Sequence, residues 1–271
     1  MKDVVITGGF DDIRSHDLRF LQEAAKLGPV TVLLSSDEDI EVLNGKSPKF
    51  ALVERLYFLN AVRFVSRVIP VGPTLNINAL PVLEGLRPGM WVDESNSAND
   101  HRRDFCREQG LEYCVLAAGQ LNGFPEIPYT PRGPARKKVV VTGCYDWFHS
   151  GHVRFFEEVS NYGDLYVIVG HDANIRFLKG PGHPFLPQEE RQYVAGSIRY
   201  VSQALISSGE GWLDAEPEIQ RLKPDIYAVN EDGDRGGKRE YCAERGIEYL
   251  VLKRIPAPGL PLRSSTELRG F

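Results

Sequence analysis

The chain is expected to fold as two tandem α/β domains, each a parallel sheet flanked by helices, and three observations predict this. Residues 7 to 40 recur at an offset of 135 with 11 identities in 34 positions, and the offset becomes 136 from "ERLYFLNAVRFV" and "ERQYVAGSIRYV" onward. Self-similarity sustained over that length marks a duplicated unit. Short apolar, β-branched runs alternate with stretches of helical period, the order that a parallel sheet with right-handed crossovers requires. The 271 residues, 42% of them hydrophobic, can supply two cores.

In the second copy, "KKVVVTG" reads as a strand because consecutive β-branched residues suit a pleated surface buried on both faces. "SGHVRFFEEVSNYG" has helical period and is expected to end at Gly163. "DLYVIVG" is again a strand, "PQEERQYVAGSIRYV" helical, and "QALISS" strand-like. "DAEPEIQRLK" is helical, "PDIYAV" a strand, "GGKREYCAERG" helical and "IEYLVL" the last strand. The two copies meet in "NGFPEIPYTPRGPARKK", which is rich in Pro and Gly and poor in strand formers. The boundary is placed between Thr130 and Lys137, giving domains 1–130 and 131–271, both Rossmann-like.

A net charge of −5 and a pI near 5.8 argue against a nucleic-acid or anionic-membrane binder, while leaving room for a local basic pocket. No apolar run reaches the roughly 18 residues of a membrane span. The four cysteines form no C-x-x-C pair and the N-terminus has no signal-peptide layout, so a reducing cytoplasm is expected and no zinc site is signalled.

The stretch "TGCYDWFHSGHVRFF", residues 142 to 156, places His149 and His152 where a strand gives way to a helix. Ligands in open parallel sheets settle beyond the carboxyl ends of the strands, and a helix N-terminus there offers free N–H groups and a positive dipole end. Two imidazoles three residues apart share a helix face and reach one phosphate. Gly151 would let the turn approach a nucleotide closely. Two histidines at this spacing also serve as a cap and a core-edge residue, so the spacing alone leaves both readings open.

With its position after "VVVTGCYD", the segment resembles the H-x-G-H nucleotidyltransferase superfamily, especially the cytidylyltransferase-like branch, whose members read G-x-F-D-x-x-H-x-G-H. Tyr145 stands where that pattern has Phe. The resemblance covers nearly the whole second copy and implies catalytic roles for His149, His152 and Lys179. It implies nucleotide or phosphate contacts for Gly143, Cys144, Tyr145, Gly151 and Arg191, and for Asn230 and Asp232 of "AVNEDGDRGGK", although that segment departs from the acidic Gly-Asp-Asp type of the relatives. "LRSSTELRG" is similar to the second family signature and implies that Arg263, Ser264, Ser265 and Thr266 hold the β and γ phosphates, with Arg269 nearby. Weaker assignments to the acceptor are Asp146, His171 and Asp172.

The implied reaction is direct in-line attack of an acceptor phosphate on the α-phosphorus of a nucleoside triphosphate, with pyrophosphate leaving. CTP is the expected donor and a small phosphorylated alcohol, polyol or sugar the expected acceptor; an adenylyltransferase using ATP is the alternative within this chemistry. A nucleotide-binding regulatory protein without turnover is the alternative of another class. Mg²⁺ is expected as cofactor, held chiefly by the substrate phosphates, so no protein metal ligands are assigned.

In the first copy Arg14, Ser15, His16 and Asp17 occupy the place of the histidine motif, and Asn44 stands at the position of Lys179. An aspartate aimed at a phosphate repels it. The first copy is therefore expected to be a degenerate, non-catalytic domain that either packs as the second half of an intramolecular pseudo-dimer or binds a regulatory ligand. Further homodimerisation is left open.

Overall fold

A computed structural model of the chain describes residues 2–73, 76–131, 133, 135–265 and 268. It forms two compact units, Met1–Gly123 and Phe124–Phe271. Unit 1 contains, in chain order, β1 (Val4–Gly8), α1 (Ser15–Ala25), β2 (Val30–Leu34), α2 (Asp37–Asn44), α3 (Leu52–Ala61), β3 (Arg67–Pro70), β4 (Met90–Glu94), α4 (Asp100–Gln109) and β5 (Glu112–Leu116). Unit 2 contains β6 (Lys138–Gly143), α5 (Ser150–Val159), β7 (Asp164–Val169), α6 (Asp172–Lys179), α7 (Gln188–Gly196), β8 (Val201–Ile206), α8 (Glu216–Leu222), β9 (Ile226–Asn230), α9 (Lys238–Glu244) and β10 (Glu248–Leu252). In unit 2 these are the expected elements, with α6 added where no helix was expected.

All strands pair in parallel. The strand orders, β3-β2-β1-β4-β5 in unit 1 and β10-β9-β6-β7-β8 in unit 2, describe one topology. In each, the order reverses beside the first strand, between β1 and β4 and between β6 and β9, which is where such sheets open a ligand crevice. The apolar runs are buried as a parallel sheet demands: Val30 to Leu34 and Asp164 to Val169 are buried throughout. Behind β6 and β9 of unit 2, Val140, Ile168, Ile219, Tyr227 and Cys242 share one apolar cluster.

The division between the units falls upstream of the boundary expected from composition. Residues 124 to 130 pack on unit 2: Phe124 lies against Tyr193 with ring centroids 5.8 Å apart, and Tyr129 stacks on Tyr166 at 5.9 Å. The Tyr129 hydroxyl donates to Asp164 Oδ2 (3.0 Å) and the Thr130 amide to the Ser202 carbonyl (3.0 Å). Aromatic anchors of this kind outweigh the Pro/Gly content that marks the stretch as a linker.

Helix α5 also ends earlier than expected, at Val159, with Ser160 as its C-cap. Gly163 is required for a different reason: a Cβ there would stand 2.1 Å from the Lys137 carbonyl oxygen, and the equivalent Gly28 would meet the Lys2 carbonyl at 2.0 Å. All four cysteines are free, and among the described residues no helix is long and apolar enough to cross a membrane. Gly163→Ala is expected to destabilise unit 2 by about 1–3 kcal/mol, because the clash is with the backbone entering the central strand β6, which must move; urea denaturation measures it.

Candidate functional site

The site is built where β6 turns into α5. The chain passes Cys144 and Tyr145, the latter in the left-handed region at φ 54°, and the Tyr145 ring folds back over Gly143. A Cβ at Gly143 would lie 2.7 Å from Tyr145 Cζ. Asp146 then takes the amides of Phe185 (2.8 Å) and Leu186 (2.9 Å) on its carboxylate, tying the loop before α7 to the turn. Unit 1 repeats both devices: Phe10, at φ 47°, covers Gly8, and Asp11 accepts from the amides of Lys49 (2.8 Å) and Phe50 (2.9 Å). Gly143, Tyr145 and Asp146 border the site, yet their shared geometry with unit 1 marks them first as makers of the turn.

His149 is the N-cap of α5, and the two histidines close a capping box. His149 Nδ1 accepts from the Gly151 amide (3.1 Å) and His152 Nδ1 accepts from the His149 amide (3.3 Å). The ring centroids are 4.0 Å apart. Gly151 has a local purpose: a Cβ there would meet His149 Nδ1 and Cε1, both at 2.9 Å, so the glycine admits the folded-back imidazole. This differs from the expectation that Gly151 clears space for a nucleotide.

Because each Nδ1 is an acceptor, the neutral ring carries its proton on Nε2, which is left as a donor. Neutrality is enforced. Burial, then the positive charges of Arg254 and Arg263, push His149 down to about 3. Burial, then His149, Arg254 and Lys179, push His152 well below the usual imidazole range.

Both rings line a cleft of about 350 Å³ beyond the carboxyl ends of β6 and β9. Gly143, Cys144, Tyr145, Asp146, Gly151, Lys179, Asn230, Asp232, Ser264 and Ser265 line it too, so the structure brings together most of the residues singled out from sequence. The Ser265 hydroxyl donates to the Trp147 carbonyl (3.2 Å), which draws the C-terminal signature to the turn. The Leu268 amide donates to the Ser264 carbonyl (3.3 Å). Thr266 and Arg269 lie outside the described residues. The Arg263 carbonyl accepts from the Arg254 guanidinium, and Arg263 borders an adjoining groove rather than the cleft itself. Burial pushes the Cys144 thiol up, away from use as a nucleophile.

Three assignments are corrected. Arg191 is fully buried and its guanidinium is committed to the carbonyls of Leu186 (2.9 Å), Cys144 (2.6 Å) and Gly170 (2.8 Å) and to Asp172 Oδ1 (2.6 Å), so it holds loops and no phosphate. Arg55 makes the equivalent contacts in unit 1, with Phe50, Gly9 and Ser35 carbonyls and Asp37. Asp172 is the ion-pair partner of Arg191. His171 is the N-cap of α6: Nδ1 accepts from the Asn174 amide (3.3 Å) and Nε2 contacts the Gly209 carbonyl (2.8 Å), leaving no ring nitrogen for an acceptor.

Two cations were missed. Lys238, at the start of α9, lines the cleft and donates to the Gly233 carbonyl (2.9 Å), and burial lowers its pKa. Arg254, two residues past β10, lines it as well and pairs with Asp232 at 2.7 Å. The available signal was their place in the segments that follow the carboxyl ends of β9 and β10. Among the described residues no cluster of three or more His, Cys, Asp or Glu has metal-binding geometry. The two carboxylates bordering the cleft are engaged, Asp146 by amides and Asp232 by Arg254, so a divalent cation would be carried by substrate phosphates.

Residues 140–270 match the family described as cytidylyltransferase-like. The FAD synthase of Ferroglobus placidus is 38% identical over 135 residues, 49% of this chain and 85% of that protein. The FAD synthase of Pyrococcus horikoshii is 44% identical over 105 residues, 38% of this chain and 68% of that protein. The bifunctional protein HldE of Aliarcobacter butzleri is 27% identical over 189 residues, 68% of this chain and 39% of that protein.

Arg191→Met is expected to lower stability by about 3–5 kcal/mol, by stranding Asp172 and three carbonyls, while any remaining folded protein still gains thermal stability from nucleotide. Below an unfolded-state pKa near 6.5 the unfolded chain binds protons that the folded His149 refuses until about 3. Stability should therefore fall as pH drops through that window, and ¹⁵N NMR should show both rings neutral with the proton on Nε2 at pH 5.

Proposed function

The chain belongs to the cytidylyltransferase-like family of nucleotidyltransferase enzymes, and from that premise we propose that unit 2 transfers CMP from CTP to a small phosphorylated alcohol, polyol or sugar. An oxygen of the acceptor phosphate attacks the α-phosphorus in line. The new P–O bond forms as the bond to the bridging β-phosphate oxygen breaks, and the electron pair leaves on pyrophosphate. A phosphate-bound Mg²⁺ would neutralise charge on the departing group.

The chain's own residues supply position and electrostatics. The Nε2–H groups of His149 and His152 donate to nonbridging phosphate oxygens without needing to gain or lose a proton. Lys179 balances charge at the transferring phosphoryl group, and Ser264 and Ser265 present backbone amides to the β and γ phosphates. Lys238 lies at the crevice beside β9, where the nucleoside is expected, and Arg254 stands beside the imidazoles.

The observation that carries this reading is the use of imidazole where the fold needs only an acceptor. In unit 1 the same capping box is closed by Asp17, whose Oδ2 accepts from the Arg14 amide at 2.8 Å. A helix cap thus forms without His152, so folding alone does not account for a second buried imidazole. By the same comparison unit 1 is a non-catalytic copy: its cap is kept and its phosphate donors are gone.

A second reading takes ATP as donor and a phosphate bearing a flat aromatic group as acceptor. Two observations favour it: relatives of 38% and 44% identity are named FAD synthase, and Trp147 stacks on the 68%-exposed Phe185 at 5.2 Å beside the turn. Pyrophosphate release from each of the four nucleoside triphosphates, with sugar, polyol and flavin phosphates as acceptors, separates the two. His152→Asp is expected to keep the cap and near-wild-type thermal stability while lowering kcat/KM by at least 10²–10³. Wild-type-like turnover by that variant would refute the assignment.

A further inference from the structure

Unit 2 has a second cavity, about 270 Å³, which shares no lining residue with the cleft described above. It lies between residues 124–127, helix α7 and strand β8. Its volume is close to the lower end of small-molecule sites, about 300 Å³.

One part of its wall is apolar. Ile127, Gly196 and Ala204 line it beside the tilted pair of Phe124 and Tyr193, whose ring centroids are 5.8 Å apart. Gly196 gives room there: a Cβ would stand 3.3 Å from Ile127 Cδ1 and 3.5 Å from Ala204 Cβ.

The polar groups of the lining share one character. Gln192 Nε2 is spent on the Ala204 carbonyl at 2.9 Å, so the side-chain oxygen remains as an acceptor. Glu126 and Glu189 bring two carboxylates, and neither makes an ion pair among the described residues; Glu189 accepts only from Gln188 Nε2, at 3.0 Å. Among the described residues no Lys, Arg or His lines the cavity. Acceptors and negative charge around an aromatic and aliphatic surface are what a cation on an apolar body requires.

Comparison with unit 1 supplies an independent observation. At the positions of Glu189, Gln192 and Gly196, helix α3 has Val53, Leu56 and Asn60, while Tyr57 matches Tyr193. The tyrosine belongs to the shared architecture. The carboxylate, the amide and the small residue do not, since the same helix and strand form without them.

We propose that this cavity binds an organic amine as its ammonium ion, with the apolar body against Phe124, Ile127 and Ala204 and the ammonium group donating to Glu126, Glu189 and the Gln192 oxygen. The site stands apart from the nucleotidyl-transfer reading, because none of its residues lines the cleft.

Methyl NMR of the full chain, titrated with tryptamine and 2-phenylethylamine, provides the test, with the uncharged alcohol analogue of each as control. Both amines should give saturable shifts at the methyls of Ile127 and Ala204. The alcohols should bind about tenfold more weakly, and added salt should weaken the amines alone. Combining Glu126→Gln with Glu189→Gln should lower amine affinity about tenfold, the size expected of two partly exposed ion pairs. Pyrophosphate release by this variant should be unchanged. No saturable shift with either amine, alcohols bound as tightly as amines, or undiminished amine binding in the double variant would each overturn the proposal.

Discussion

The site depends on one local constraint, the orphan amides at the start of α5. A helix leaves its first N–H groups without intrahelical partners, and in unit 2 imidazole nitrogens take up two backbone amides there. Each of those bonds also selects a tautomer, because a ring that accepts on Nδ1 must donate from Nε2. Burial among Arg254, Arg263 and Lys179 then keeps the rings uncharged. A structural requirement of the helix thereby prepares two fixed donors at the mouth of the cleft, and Gly151 is the small residue that lets the first ring fold back.

The duplication separates what the fold requires from what the chemistry requires. Features found in both units, such as the aspartates that pin the loop amides and the arginines Arg55 and Arg191 that gather carbonyls, belong to the architecture. Features found in one unit have no such explanation. His149, His152, Lys179 and Arg254 fall in this second group, and they converge on one cleft. Arg191 shows why the comparison matters: the family resemblance implies phosphate binding for it, and its counterpart Arg55, in a unit without the histidine motif, exposes a purely structural duty.

The same comparison bears on charge. Unit 2 concentrates cations around a pair of neutral donors, an arrangement suited to a polyanion that develops further charge as pyrophosphate departs. Unit 1 cancels its cations internally, Arg102 against Asp93 and Lys49 against Asp12. One topology thus supports opposite electrostatics, which fits the general rule that function lives in side chains placed on a fold rather than in the fold itself.

The sequence by itself determined the two-fold repeat, the parallel sheets and the strand-to-helix turn that carries the histidines. Strand burial, helical period and the offset between copies are all written along the chain. It also marked Lys179 and the Ser264–Ser265 segment as members of the site, because they recur in a family pattern. Only the tertiary structure decided that Lys238 and Arg254 reach the same cleft, that Arg191, His171 and Asp172 do not line it, and that residues 124 to 130 pack on unit 2. The physical reason is that a charged side chain has no periodic signature: whether it meets a ligand, a carbonyl or a carboxylate depends on which strands and loops, distant in the chain, the sheet brings alongside it.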